Sequence, residues 1–299
     1  MLLSKRTIEN PIEASELILN ANGSVYHLAV RNEDIADDVI VVGDQDRVAL
    51  VSKRFDKIDF KAQHREFVTH TGTYKGKRMT VMSTGIGPDN IDIVLNELDA
   101  AVNIDPKTRL PKETQRKLNI VRLGTSGSLR EDIPVDAWVL SSYAIGFDGT
   151  AHFYDLKYTA EELALNEAFK KHLNWSSFLN PPYTAKADET LVKKISSDAT
   201  FSGITLTAGG FYAPQGRMLF LNNAIPDLNE RLRQFSFQGE RVSNFEMESS
   251  LLFTLAGALG HASASILAII ANRYRGEFTQ NAAKTIDNTI DYLLEKLLA

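Results

Sequence analysis

Short apolar runs rich in β-branched residues recur along this chain, and several close in glycine or a polar cluster before a helix-forming stretch begins. Asp38-Val39-Ile40-Val41-Val42-Gly43 is one such run. Its length and branching are those of a buried strand. Asp44 follows as an N-cap, and the helix behind it carries Val48, Leu50 and Val51. Thr84-Gly85-Ile86-Gly87-Pro88 is a second strand-to-helix turn. Its helix places Ile91, Val94, Leu95, Leu98, Ala101 and Val102 on one stripe, which belongs to the core. Strands that alternate with helices predict an α/β layer fold with a mostly parallel central sheet. Ligands of such folds bind at the carboxyl ends of strands. Nothing marks a linker, so one domain is expected.

The remaining elements follow the same logic. Arg65-Glu66-Phe67 opens a β region in which Thr69, Thr71 and Thr73 alternate, Lys75-Gly76 turns, and residues 78–83 return. Residues 137–142, 203–207 and 265–271 read as strands, and 161–173 as a helix. Asn244 is placed as the N-cap of a helix reaching about Gly260, and Thr279 as the cap of a last helix with Ile286, Ile290, Leu293, Leu294 and Leu297 inward. Residues 1–24 read as an arm or peripheral helix, and residues 25–28 as a short extended segment. The Lys- and Arg-rich stretch 103–119 reads as an inserted loop with a short helix from about Pro111.

Composition removes several function classes. The chain of 299 residues has a net charge of −5, which argues against a nucleic-acid surface. It contains no cysteine, so thiolate nucleophiles, disulfides and cysteine-based metal sites are excluded. The histidines are scattered without H-E-x-x-H spacing. No apolar run reaches membrane-spanning length, and none near the start suits a signal peptide. A cytoplasmic enzyme or binding protein is the expectation.

Residues 120–129, Ile-Val-Arg-Leu-Gly-Thr-Ser-Gly-Ser-Leu, are the most informative stretch. They read as an apolar strand ending in a Gly/Ser/Thr turn. Arg122 lies inside the apolar run, where a guanidinium is costly to bury without a partner. A buried cation beside hydroxyls and open backbone N–H groups suits an oxyanion such as phosphate. An ion pair inside the fold followed by an ordinary turn fits the same residues. Arg47 raises a similar question. It falls in the first turn of a helix, against the macrodipole, where either a ligand or solvent could account for it. Phe211, Gln215 and Arg217, in a glycine-rich stretch, could stack on and hydrogen-bond a planar heterocycle, or simply form a turn.

Taken together these stretches resemble the nucleoside phosphorylase family, specifically its uridine phosphorylase branch. The resemblance is carried by Tyr26-His27-Leu28, G-D-x-D-R-V at 43–48, H-R-E-F at 64–67, S-T-G-I-G at 83–87, R-L-G-T-S-G at 122–127, F-Y-x-x-Q-x-R at 211–217, E-M-E-S at 246–249, and Asn272-Arg273. It implies a single three-layer α/β/α domain with a mixed, mostly parallel sheet over 25–299, preceded by the arm and interrupted by the insertion. It also implies a homodimer, or a hexamer built of dimers, acting on a nucleoside and inorganic phosphate. No further cofactor is expected.

The same resemblance assigns roles. Gly43, Arg47, Arg122 and Thr125 would hold phosphate, with Arg65 reaching in from the neighbouring subunit. His27, also from the neighbour, would approach the ribose 5′-hydroxyl, and Met247 and Glu248 would hold the ribose. Phe211 would stack near the base. Gln215 and Arg217 would read uracil, Gly127, Ile270 and Ala271 would line its pocket, and Arg273 would help at O4. The catalytic set is then Arg122, Glu248, Arg217 and Arg273. The implied reaction is phosphorolysis of uridine to uracil and ribose 1-phosphate, which needs no protein nucleophile. The alternatives are phosphorolysis of deoxyuridine, thymidine or purine nucleosides, or a nucleoside-binding relative without turnover. Related purine enzymes place an acid just after the last core strand, where this chain has Asn272-Arg273. Two departures stand out. Asn90 occupies a position where relatives use serine, at a turn that with Glu66 and Ile86 can line a monovalent cation site. The 103–119 insertion is the other.

Overall fold

The computed structural model describes residues 1–298. Strand β1 (Asp38–Val42) is buried at every position and pairs in parallel with β4 (Lys77–Ser83) and β5 (Asn119–Ser128). Between β1 and β4 the chain forms helix α1 (Gln45–Ser52), capped by the Asp44 side chain, then the antiparallel strands β2 (Lys57–His64) and β3 (Phe67–Tyr74). Helix α2 (Pro88–Asn103) lays the anticipated stripe into the core, with Ile91, Val94, Leu95 and Leu98 fully buried.

The second half follows β5 with β6 (Trp138–Gly146), α3 (Ala160–Leu173), β7 (Tyr183–Lys186), α4 (Glu189–Ile195) and β8 (Thr200–Thr207). Helix α5 (Leu228–Gln234), β9 (Ser236–Phe237), β10 (Glu240–Glu246), α6 (Ser249–Leu259), β11 (Ala262–Asn272), β12 (Glu277–Phe278) and α7 (Ala282–Leu298) complete it. The fold is α/β with one mixed sheet. Its central pairings β1–β4, β1–β5, β5–β11, β6–β8 and β8–β10 are parallel, and antiparallel pairs lie between and around them. Strands β5, β11, β6, β8 and β10 close into a ring, because β10 returns to pair with β5. One apolar cluster packs α2 and α6 on one face, and a second packs α1, α4 and α7 on the other. Helices on both faces make the layers.

The structure corrects several local readings. The Gly124-Thr125-Ser126-Gly127 stretch is not a turn. It continues β5 to Ser128, because β11 pairs alongside it as far as Asn272. Asn244 is not a helix cap but lies inside β10, with its amide donating to Ser126 Oγ at 2.6 Å. Thr279 donates to Asp136 at 2.6 Å, while Asn281 accepts the Lys284 N–H and caps α7. No helix starts at Pro111. The segment is tied as a loop by an Asp105 turn, by Arg109 at φ 58°, and by a bridge between Ile104 and Pro111. Residues 26–28 turn rather than extend. Short or charged elements such as β2, β7, α4 and α5 escaped a pattern-based reading, since tertiary pairing rather than periodicity holds them.

The parallel pairing brings the carboxyl ends of β1, β4, β5 and β11 to one side. Strands β5 and β10 run antiparallel and meet only at their carboxyl ends, where Gly127 pairs with Phe245. The site lies at that convergence.

Candidate active site

A cavity of about 760 Å³ opens where these strand ends meet. Gly43 and Arg47 enter it from the β1–α1 turn, and Arg122, Thr125 and Gly127 from β5. Met247 and Glu248 enter from the β10–α6 turn, Ile270 and Ala271 from β11, and Phe211, Gln215 and Arg217 from the loop after β8. Glu66, Ile86 and Asn90 stand at its edge.

Arg122 is 4% exposed and lies between two carboxylates. Its Nε donates to Glu246 at 3.0 Å and its Nη2 to Glu248. Its Nη1 is buried with no hydrogen-bond partner among the described residues. A Cβ at Gly43 would stand 4.0 Å from that Nη1, so the glycine keeps the space beside it open. Burial works against the Arg122 charge, but Glu248 and Glu246 outweigh it and hold its pKa above the ordinary value. Glu248 is equally buried. Its Oε1 accepts the Gly87 N–H at 2.8 Å at the start of α2. Burial raises the Glu248 pKa, with Glu246 adding and Arg122 opposing.

For the other cations burial outweighs what compensation there is, which at Arg47 comes from Asp44 and Glu248. Arg47 is buried and donates only weakly to the Leu123 carbonyl at 3.4 Å; burial and then Arg122 lower its pKa. Arg217 lies over the Phe211 ring at 3.8 Å and donates to Gln215, itself 2% exposed. Burial lowers its pKa too. Arg273 sits behind Gly127, where a Cβ would stand 3.2 Å from its Cδ. Burial, then Arg217 and Arg233, push its pKa down to about 10. Arg47, Arg122 and Arg217 line the cavity, Arg47 and Arg122 buried and repelling one another, and an anionic occupant would stabilise them.

Three anticipated residues lie outside the cavity lining: Arg65, His27 and Arg273, the last of which sits behind Gly127. Arg65 stands exposed on the β2–β3 turn at φ 55°, outside the cavity lining. His27 also lies outside it. Its Nδ1 is 2.6 Å from Glu97 Oε1, and the same carboxylate accepts the backbone N–H of His27 and Leu28. The Glu66, Ile86 and Asn90 set is contiguous, but it offers one carboxylate, and the Ile86 carbonyl already accepts from Asn90 at 3.3 Å. It does not form a cation cage within one chain. Glu246 went unassigned in the sequence. Its signal was the acid opening E-M-E-S.

Asn272 turns away from the cavity. Its amide donates to the carbonyls of Arg130 and Ile133 at 2.9 and 2.8 Å, and its oxygen accepts the N–H groups of Tyr274 and Arg275.

Residues 37–299 match a family described as the phosphorylase superfamily. A uridine phosphorylase of Thermococcus kodakarensis is 30% identical over 268 residues, covering 88% of this chain and 82% of that protein. A uridine phosphorylase of Haemophilus influenzae is 28% identical, covering 86% and 90%. A DeoD-type purine nucleoside phosphorylase of Listeria welshimeri is 25% identical, covering 85% and 89%. Among solved structures, a Trypanosoma brucei nucleoside phosphorylase reported to show uridine phosphorylase activity superposes with a TM-score of 0.84 at 29% identity, covering 95% of this chain and 99% of that one.

Proposed function

Because the chain belongs to the phosphorylase superfamily, we propose that it cleaves uridine with inorganic phosphate, giving uracil and ribose 1-phosphate. The observation that carries this reading is Arg122 Nη1, a buried cationic donor without a partner among the described residues, on an arginine that lines the cavity with Gly43 and Arg47. A phosphate there meets Arg122, Arg47 and Thr125, and its attack on C1′ becomes a positioned, effectively unimolecular step. Glu248, beside it, accepts from the ribose hydroxyls and faces the positive charge that develops on the sugar. Met247 packs against the ribose. At the other end Gln215 and Arg217 donate to uracil as it leaves as an anion, with Arg273 on the O4 side. These contacts strengthen as charge develops, which is what lowers the barrier. Phe211, Gly127, Ile270 and Ala271 bound the base.

The site is completed by a second copy. Arg65 and His27 are each outside their own chain's cavity, and an arginine on an exposed turn is free to reach a neighbour's phosphate. A homodimer, alone or within a hexamer, supplies both. One domain over 25–299, with arm 1–24 laid across it, acts in the cytoplasm; among the described residues no helix is long and apolar enough to cross a membrane. No step is routed through a monovalent cation.

The test is uracil release from uridine with and without phosphate, in wild type and Arg122→Ala. Phosphate-dependent release that collapses in the variant is expected. Release without phosphate would make the protein a nucleosidase, and turnover of inosine in place of uridine would move the reading to purines. Asn272 argues against the latter, since its amide is consumed by backbone groups.

A further inference from the structure

Arg122 is gripped from two sides, and the two grips differ in kind. Glu248 faces the space where a ribose would lie, and on the reading above its oxygens are needed by the sugar hydroxyls. Its hold on Arg122 Nη2 is exchangeable. Glu246 is anchored on every side. Its Oε1 accepts from Thr207 Oγ1 at 2.5 Å and from Ser249 N at 3.0 Å. Its Oε2 accepts from Glu248 N and Ser249 N, each at 2.9 Å, and from Arg122 Nε at 3.0 Å. Thr207 Oγ1 in turn accepts the Ser250 N–H at 2.9 Å. The carboxylate is thereby tied to strand β8 and to the first turn of helix α6. Four donors hold it, the Ser249 N–H being shared between both oxygens, so although Glu246 lines the cavity its carboxylate is already engaged within the protein.

We propose that Glu246 is a positioning residue for the phosphate, clamping Arg122 through Nε so that the far edge of the guanidinium, Nη1 included, stays turned into the cavity whether or not Glu248 has let go. The guanidinium is planar, so fixing Nε and the side-chain stem fixes the direction of both terminal nitrogens. An arginine side chain otherwise has many rotamers, and its ordering would have to occur at each binding event. Glu246 performs that ordering before the ligand arrives.

The inference rests on phosphorolysis being the reaction, and a double-mutant cycle tests the two separately. Glu246→Gln keeps the size of the side chain but removes the charge that holds Nε and sets an amide N–H group against backbone N–H donors, so the clamp is loosened. The phosphate KM is expected to rise on the order of tenfold to a hundredfold, as small misplacements of a binding group do. The dissociation constant for uridine alone is expected to move by no more than about twofold. In an Arg122→Lys background, which has no Nε–H for Glu246 to hold, adding Glu246→Gln is expected to change the phosphate KM by no more than about twofold. If Glu246→Gln does not fold, Thr207→Val, which removes one of the two donors to Glu246 Oε1, runs the same cycle. Additive losses in the two variants would overturn the proposal, and so would a loss of uridine affinity as large as the loss for phosphate. Those outcomes would assign Glu246 to holding α6 instead. A wild-type protein without phosphate-dependent turnover would overturn the reaction and the positioning role together.

Discussion

Arg122 and Glu248 form an ion pair in which neither side chain is more than 5% exposed. Pairs of this kind are asymmetric in their energetics. The intact pair contributes little, but removing one member leaves a buried charge unmatched.

Arg122→Met should therefore do more than abolish phosphorolysis. It leaves Glu246 and Glu248 side by side without their common cation, a loss of about 3–5 kcal/mol. The sign with pH follows. Without Arg122 the folded-state Glu248 pKa rises further above its unfolded value. The penalty is then full above the folded value and fades as pH falls through it. The drop in Tm relative to wild type is expected to be larger at pH 8 than at pH 5, in thermal melts at both. An equal drop at the two pH values would contradict the account.

On the proposed reading Glu248 accepts from the ribose hydroxyls most strongly as a carboxylate, and burial raises its pKa above the ordinary 4.5. Uridine affinity, measured without phosphate, should weaken as pH falls through that raised value. Glu248→Gln should bind uridine more weakly by on the order of 2 kcal/mol, in line with loss of charged hydrogen bonds. Its affinity should also lose the acid-side dependence. Calorimetric titration across the acid range reads both.

Arg273 is held near Arg217 and Arg233 with a buried Nη1 that has no partner among the described residues. Its charge is a burden on the unliganded fold. Arg273→Met should raise the Tm by roughly 2–4 °C while lowering kcat with uridine. The sign check agrees. A base whose folded pKa is depressed destabilises the fold below that pKa, so the gain should be present at pH 7. A fall in Tm would show that Arg273 is structural.

Residues in the first 24 positions are held by the loop at 103–119. Arg109 donates to the carbonyls of Ile12, Glu13 and Leu17, and Lys5 bridges Asp99 and Gln115 at 2.8 and 2.9 Å. Arg109→Ala should speed hydrogen exchange across the N-terminal 20 residues, by an amount corresponding to about 1.5–3 kcal/mol of lost charged hydrogen bonding. Unchanged exchange there would mean that the rest of the arm's packing holds it alone.

Local chemistry was legible wherever a short stretch was sufficient to define it. The β-branched run before Gly43, the Asp44 cap and the apolar stripe of α2 were readable because neighbours in sequence determine them. Arg122 stood out for the same reason, as a charge inside an apolar run. The E-M-E-S acid at 246 was visible but had no assignable role, because the meaning of a buried carboxylate lies in what it faces. Asn244 and Thr279 were misread as caps since both are polar residues near helix starts, and only strand pairing and the Asp136 contact separate them from true caps.

The sequence by itself determined the fold class, the alternation of strands and helices, and the residue types available to an anion and a base. Tertiary structure decided which of these meet. It placed β10 beside β5 and closed the ring that sets Glu246 and Glu248 on either side of Arg122. It turned Asn272 outward to hold its own loop. It also left His27 and Arg65 outside their own cavity. The reason is physical: helix and strand preferences act over a few residues, whereas the pairing of strands and the burial of a charge are settled by partners more than a hundred positions away.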